Sequence, residues 1–151
     1  MTSVIVRESI FYAKENNSAV YVCFLDGKQA FDRVWHCGLF YKLCEKVDDT
    51  SLSAFMEMYS NMTSVVRNRG HSSAPIPILQ GTRQGGRTSA QCYLAYINEL
   101  INISNSGLGI CLYNCNTSCP TVADDMILMA YSGNALQRIF DICYKYSCKW
   151  R

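Results

Sequence analysis

The sequence predicts an α+β fold, an antiparallel sheet with helices packed on one face. Three observations carry that prediction. Apolar residues recur at helical spacing in several separate stretches. Continuous β-prone runs lie between them, the clearest being Ala19 to Leu25 (AVYVCFL). Finally, an acidic pair, Asp124-Asp125, sits between two short apolar runs, Thr121-Val122-Ala123 and Met126-Ile127-Leu128-Met129-Ala130, as a hairpin would place it.

Taken in order, Val4, Ile5, Ile10, Phe11 and Ala13 suggest an amphipathic helix over 3–15, ended by Glu15-Asn16-Asn17-Ser18. The run from Ala19 to Leu25 reads as a buried central strand that delivers Asp26 at its C-terminal end. A helix is expected from His36 to Lys46, with Leu39, Phe40, Leu43 and Cys44 on one face. Asp48-Asp49-Thr50 precedes Leu52, Phe55, Met56 and Tyr59 at helical spacing, so that acidic pair is read as a helix cap. Thr63 to Arg69 and Ala74 to Leu79 read as a strand pair joined at Gly70-His71-Ser72-Ser73. A glycine-rich basic loop, Gln80 to Arg87, then opens a helix over 89–103, with Tyr93, Leu94, Tyr96, Ile97, Leu100 and Ile101 inward. Gly107 to Tyr113 begins a strand, the Asp124-Asp125 hairpin follows, and a last helix covers 134–149 with Leu136, Ile139, Phe140, Cys143 and Tyr146 on one face. No internal repeat or long linker interrupts the chain.

Composition narrows the class. The 151 residues suffice for one domain with a core, and 49% apolar with 17% charged residues describes a globular chain. A formal net charge of +2 does not by itself announce a nucleic-acid binder. No apolar run reaches membrane-span length, and residues 1–18 lack a signal-peptide plan, so an intracellular protein without membrane insertion is expected. The nine cysteines are an odd number and are read as reduced thiols that mostly pack as small hydrophobes. Cys111, Cys115 and Cys119 do not form a CxxC pair, which argues against zinc. His36 and His71 are expected at the surface or at a helix start.

The chemistry is expected where carboxylates meet. Two adjacent aspartates at the edge of a core repel each other, and a divalent cation would offset them. If the strands bearing Asp26 and Asp124 are sheet neighbours, their carboxylates meet at one edge. That all-oxygen set favours Mg²⁺ or Mn²⁺ over Zn²⁺. Two such ions stabilise the attacking and leaving oxygens of an in-line phosphoryl transfer. The loop Gly81 to Arg87 offers backbone N–H groups and cations to a phosphate or a template strand.

Three blocks sharpen this reading. The first is Phe24-Leu25-Asp26-Gly27-Lys28-Gln29-Ala30-Phe31-Asp32-Arg33-Val34. The second is Gln80-Gly81-Thr82-Arg83-Gln84-Gly85 followed by Ser89. The third is Val122-Ala123-Asp124-Asp125. Each alone is a weak signal. In this order and at this spacing the chain resembles the reverse transcriptases of non-LTR retrotransposons (long interspersed elements) through almost its whole length. The resemblance implies a polymerase palm-like antiparallel sheet, with residues 1–151 as a partial reverse transcriptase domain: palm with part of the fingers, the rest of the fingers and the thumb largely missing.

It further implies RNA-directed DNA polymerisation with two Mg²⁺ (or Mn²⁺) ions, an RNA template, a DNA primer and deoxynucleoside triphosphates. Asp26 and Asp124 would be the principal metal ligands, and Asp125 would complete the catalytic cluster near the primer end. Phe31 would reject a 2′-hydroxyl by contact, Gln84 and Gly85 would line the nucleotide and template pocket, and Arg83 would contact phosphate. Asp32 is assigned to local structure. Val122 stands where the family usually has an aromatic residue, and Ala90 where it has proline; neither change removes a ligand. A catalytically inactive palm remnant, acting at most as a nucleic-acid-binding module, is the competing expectation. An aspartyl phosphohydrolase is set aside because Phe24 stands where that chemistry needs its nucleophile.

Overall fold

The computed structural model describes residues 2–83, 86, 88–101 and 106–150, with the side chain of Ile101 also outside the description. Gln84, Gly85 and Arg87 of the basic loop, and residues 102–103 of the predicted fourth helix, lie outside the described residues. The elements run α1 (Thr2–Glu15), β1 (Tyr21–Asp26), α2 (His36–Leu43), α3 (Asp49–Tyr59), β2 (Thr63–Ser64), β3 (Arg67–Asn68), β4 (His71–Ser72), β5 (Ile76–Pro77), α4 (Ser89–Ile101), β6 (Cys111–Leu112), β7 (Cys115–Asn116), β8 (Thr121–Val122), β9 (Asp125–Ala130) and α5 (Gly133–Trp150). This mixture of helices and antiparallel strands is the α+β class the pattern predicts. The chain groups into two compact units, one of residues 1–30 with 97–151 and one of residues 31–96.

The first unit is built on a three-stranded antiparallel sheet in the order β1-β9-β8. Its main ladder is continuous, from Tyr21 opposite Ala130 to Asp26 opposite Asp125. Side chains alternate across such a strand, and the alternation is visible in what is covered. Met126, Leu128 and Ala130 are buried with Ile139 and Cys143 of α5 and Leu100 of α4, and Cys23 and Leu25 of β1 pack against them. The opposite face of β1 carries Val22, Phe24 and Asp26, all exposed.

That exposure corrects the expectation of a buried central strand. A continuous apolar run reads the same whether its strand is covered on one face or two. Here β1 is an edge strand, Phe24 is 74% exposed, and the central position belongs to β9. Helix α5 packs through a stripe of Ile139, Cys143, Tyr146 and Trp150 at spacings of three and four. Phe140 lies one residue, about 100°, around from that stripe and is exposed. Leu94 leaves the inward row of Tyr93, Tyr96, Ile97 and Leu100 for the same reason. The burial of Cys143 pushes its thiol up to about 12, so it stays protonated and apolar in character. The wider expectation for the cysteines fails, because Cys37, Cys44, Cys111, Cys115 and Cys148 are exposed.

The second unit centres on α2 and α3. Val34, Leu39, Leu43, Tyr59, Cys92 and Tyr93 are buried. Helix α2 ends at Leu43, three residues before the predicted end. Asp48 caps α3 as expected: its carboxylate accepts from the Ser51 N–H at 2.9 Å and the Ser51 hydroxyl at 2.7 Å. Those bonds, the hydroxyl's first, hold its pKa below the usual carboxylate value. Between α3 and α4 the predicted strand pair forms as a two-part hairpin, β2 against β5 and β3 against β4.

Leu128 tests the account of the first core. It is wholly buried between α5 and the sheet, so Leu128→Ala is expected to cost about 2–5 kcal/mol from lost transfer energy plus the cavity left behind. Urea denaturation followed by circular dichroism measures it, and a loss well below that range would mean the face is not packed as described.

Candidate active site

The structure gathers the predicted residues into two local arrangements, one in each unit. In the first, β1 and β9 bring Asp26 and Asp125 directly opposite each other at the end of the ladder. Opposed residues of an antiparallel pair project from the same face, here the face that β1 leaves open. Asp124 occupies the turn between β8 and β9 and is half-buried, whereas Asp26 and Asp125 are exposed. The turn is a two-residue one, closed by Val122 opposite Asp125. Ala123 enters it with φ 53°, the left-handed region, which costs a non-glycine residue about 1–2 kcal/mol.

The sequence-level expectation named Asp26 and Asp124 as principal metal ligands, with Asp125 completing the cluster. In the ladder Asp26 lies opposite Asp125, and Asp124 lies at the turn. The hydrogen bonds and ion pairs among the described residues leave all three carboxylates unneutralised. Phe24 and Val122, both exposed, flank this edge.

The donor set is all oxygen, and its two exposed members share a face. That chemistry fits Mg²⁺, which commonly binds through one or two carboxylates together with substrate phosphates. Among the described residues, no group of three or more His, Cys, Asp or Glu side chains is placed so that it could hold a metal ion by itself. Cys111 lies opposite Asn116 and Cys115 opposite Leu112, so these two thiols project from opposite faces of their hairpin.

The second arrangement joins the first block to the second. Gly81 donates its N–H to the Val34 carbonyl at 2.8 Å, Thr82 donates to the Phe31 carbonyl at 2.7 Å, and Trp35 and Gln80 form a β-bridge. This contact demands glycine: Gly81 has φ +93°, and a Cβ there would stand 2.9 Å from the Asp32 carbonyl oxygen. Phe31 is half-buried, its ring 4.6 Å from that of Tyr93. Arg83 is exposed, and its carbonyl accepts from the Ser89 hydroxyl and from the Gly86 N–H. Ser89 thereby ties the start of α4 to the loop. Gln84 and Gly85 lie outside the described residues.

Sequence reasoning missed what supports this loop. His36 holds the helix-start position expected for it, as the first residue of α2, but it is buried, with Nε2 2.8 Å from the Gly81 carbonyl and its ring edge-on to Tyr59 at 4.9 Å. Burial pushes the Tyr59 phenol up. Lys42 is also buried and donates to the Tyr96 carbonyl at 2.6 Å. A lone histidine or lysine at a helical position carries no sequence signal for such a role.

The family described as reverse transcriptase (RNA-dependent DNA polymerase) matches residues 3–151, and the chain belongs to that family. Among its relatives are the RNA-directed DNA polymerases of the mobile element jockey. The chain is 29% identical over 134 residues to that of Drosophila funebris and 28% identical over 144 residues to that of Drosophila melanogaster. Those matches take in 85% and 91% of this chain but only 14% and 15% of the relatives, so the chain spans about one-seventh of their length. Among solved structures, apo telomerase from Candida tropicalis, truncated from the C-terminal domain, superposes with a TM-score of 0.62 at 14% identity, over 95% of this chain and 30% of that one. The predicted resemblance to mobile-element reverse transcriptases and the partial palm-like fold both hold. None of the described helices is long and apolar enough to cross a membrane.

The register makes a specific prediction. Like charges directly opposed across a strand pair destabilise it, so Asp125→Asn is expected to raise stability by about 0.2–1 kcal/mol in EDTA. Wild-type protein should gain more from added Mg²⁺ than the variant does, because a ligand bound only to the folded state stabilises it. Equal urea midpoints with and without Mg²⁺ for both proteins would remove the shared metal site.

Proposed function

We propose that the chain is the palm portion of an RNA-directed DNA polymerase that adds deoxynucleotides to a DNA primer on an RNA template. One observation above all supports this: Asp26 and Asp125 stand opposite each other at an open sheet edge, beside Asp124 at the turn, with no ion pair to a cation among the described residues. Asp26, Asp124 and Asp125 would hold two Mg²⁺ (or Mn²⁺) ions. When bound, these supply charge stabilisation to the attacking and leaving oxygens. The primer 3′-hydroxyl gives its proton to solvent water as its oxygen attacks the α-phosphorus of the triphosphate. The bond from that phosphorus to the bridging oxygen breaks, and pyrophosphate leaves.

The remaining roles follow from chemistry at each position. Phe31 is backed by Tyr93, so its ring has little freedom to yield to an extra 2′-oxygen on the sugar. Arg83 offers an exposed guanidinium to phosphate. Gln84 and Gly85 would line the nucleotide and template pocket, where the absence of a side chain at Gly85 permits close approach of backbone.

Two experiments test the reading. Primer extension of oligo(dT) on poly(rA) with Mg²⁺ should show incorporation, and Asp26→Asn should lower it by a factor on the order of 10²–10³, the scale of losing one preorganised electrostatic contact. No incorporation by a folded wild-type sample would reject polymerase activity for this chain and leave an inactive palm. For sugar choice, Phe31→Ala within a longer polymerase built around this palm should admit ribonucleotides. Unchanged discrimination would take the gate role from Phe31.

A further inference from the structure

The hairpin of residues 63–77 has no role in the site described above. All of its residues are exposed, although it includes Val65, Val66 and Ile76. Two-stranded hairpins that bury no face are marginally stable in water. This one is held by the β2–β5 and β3–β4 pairs and by the Ser73 N–H donating to the Val66 carbonyl at 2.9 Å. Its tip is a two-residue turn, Arg69-Gly70, with φ of 47° and 84°, closed by Asn68 opposite His71. Positive φ at both positions suits the hairpin's right-handed twist, and Asn is the low-cost residue for the first. Arg69 stands there instead. Arg67, Arg69 and His71 line an open concavity of about 350 Å³ at this tip, and no ion pair among the described residues engages them.

The sequence around the arm is charged in one sense only. Between Met58 and Asn98 there are four arginines, Arg67, Arg69, Arg83 and Arg87, and no aspartate or glutamate. The modest net charge of the chain hides this, because all twelve acidic residues lie elsewhere.

We infer that the arm of residues 63–77 is a nucleic-acid-binding element whose tip arginines, Arg67 and Arg69, grip the phosphate backbone of the template–primer duplex. The inference rests on the nucleic-acid reading above and adds a contact to it. The ligand chemistry is the phosphodiester backbone. A guanidinium meets phosphate oxygens through two N–H donors and reads no sequence in doing so. The adjacent valines supply apolar surface that a sugar edge can cover.

The test measures binding of this chain to a fluorescein-labelled RNA–DNA hybrid of about 20 base pairs by anisotropy, in EDTA, across a salt series. Each phosphate neutralised contributes about 0.9 to the slope of log K against log salt. Arg67→Gln with Arg69→Asn is therefore expected to lower that slope by about two, while Asn keeps the left-handed turn. Arg67→Lys with Arg69→Lys should largely restore the slope. Circular dichroism confirms that each variant is folded. An unchanged slope in the neutral variant, or no hybrid binding by the wild type at low salt, overturns the inference. Duplex DNA of equal length should show the same two-unit loss, and a loss confined to single-stranded RNA would overturn the duplex assignment. Primer extension separates the two failures. If Asp26→Asn abolishes incorporation while the arm variant binds as wild type, the arm is wrong and the polymerase reading stands. If the arm variant loses the slope but wild type never extends a primer, the arm stands without the polymerase.

Discussion

The antiparallel ladder between β1 and β9 is the constraint on which the rest depends. Six consecutive pairs fix which side chains face the helices and which face outward. A slip of one residue would carry Leu128 and Met126 to the open face and turn Asp125 into the core. The hydrophobic burial of Met126, Leu128 and Ala130 against α5 therefore does more than stabilise. It holds two carboxylates opposite each other where electrostatics alone would separate them. The repulsion is tolerated because it falls on one pair at the ladder's end, and five further pairs resist the slip that would relieve it.

The turn after β8 extends the same logic. Ala123 sits in a left-handed conformation that glycine would adopt at less cost. The short turn keeps Asp124 and Asp125 at the tip, so the strain and the repulsion are concentrated within a few residues. Strain that persists beside unneutralised charge is the pattern expected where the surroundings over-determine a site for chemistry. The second unit does something similar with a different tool. Gly81 lets the backbone of the second block approach the Asp32 carbonyl, and His36 fills the space beneath the loop with an imidazole directed at the Gly81 carbonyl.

Much of this was legible in the chain, for identifiable reasons. Block order and spacing carried the family, because the aspartate-bearing blocks and the glutamine–glycine block are residue-type signatures that a sequence displays directly. Asp48 was read correctly as a cap, since capping is local. What stayed hidden depended on neighbours distant in sequence. The apolar run of β1 could not reveal that one face lacks a cover. That Asp26 stands opposite Asp125 in the ladder depends on a register that no local pattern encodes. The burial of His36 and Lys42 follows from backbone carbonyls, Gly81 and Tyr96, that only the fold brings within reach. Leu94 and Phe140 were misplaced by about one residue of helical rotation, which short apolar clusters do not resolve.

The near-neutral net charge was the most misleading global number, and its physics is instructive. On the proposed function, a chain that faces a polyanion and also keeps bare carboxylates would have opposing electrostatic needs. Averaged over 151 residues these nearly cancel, to +2. Locally they do not: one stretch carries arginines without acids, while the carboxylate edge carries acids that no cation among the described residues pairs with. At physiological ionic strength, exposed charges are screened beyond about 8 Å, so a phosphate feels the nearest group and not the average. A phosphate approaching Asp26 and Asp125 is repelled until divalent cations neutralise that edge, whereas one approaching the arginine-bearing segment is attracted at once. On the proposed function, binding of the nucleic-acid backbone and admission of its reacting end to the carboxylates would be separable steps, and only the second would require the metal.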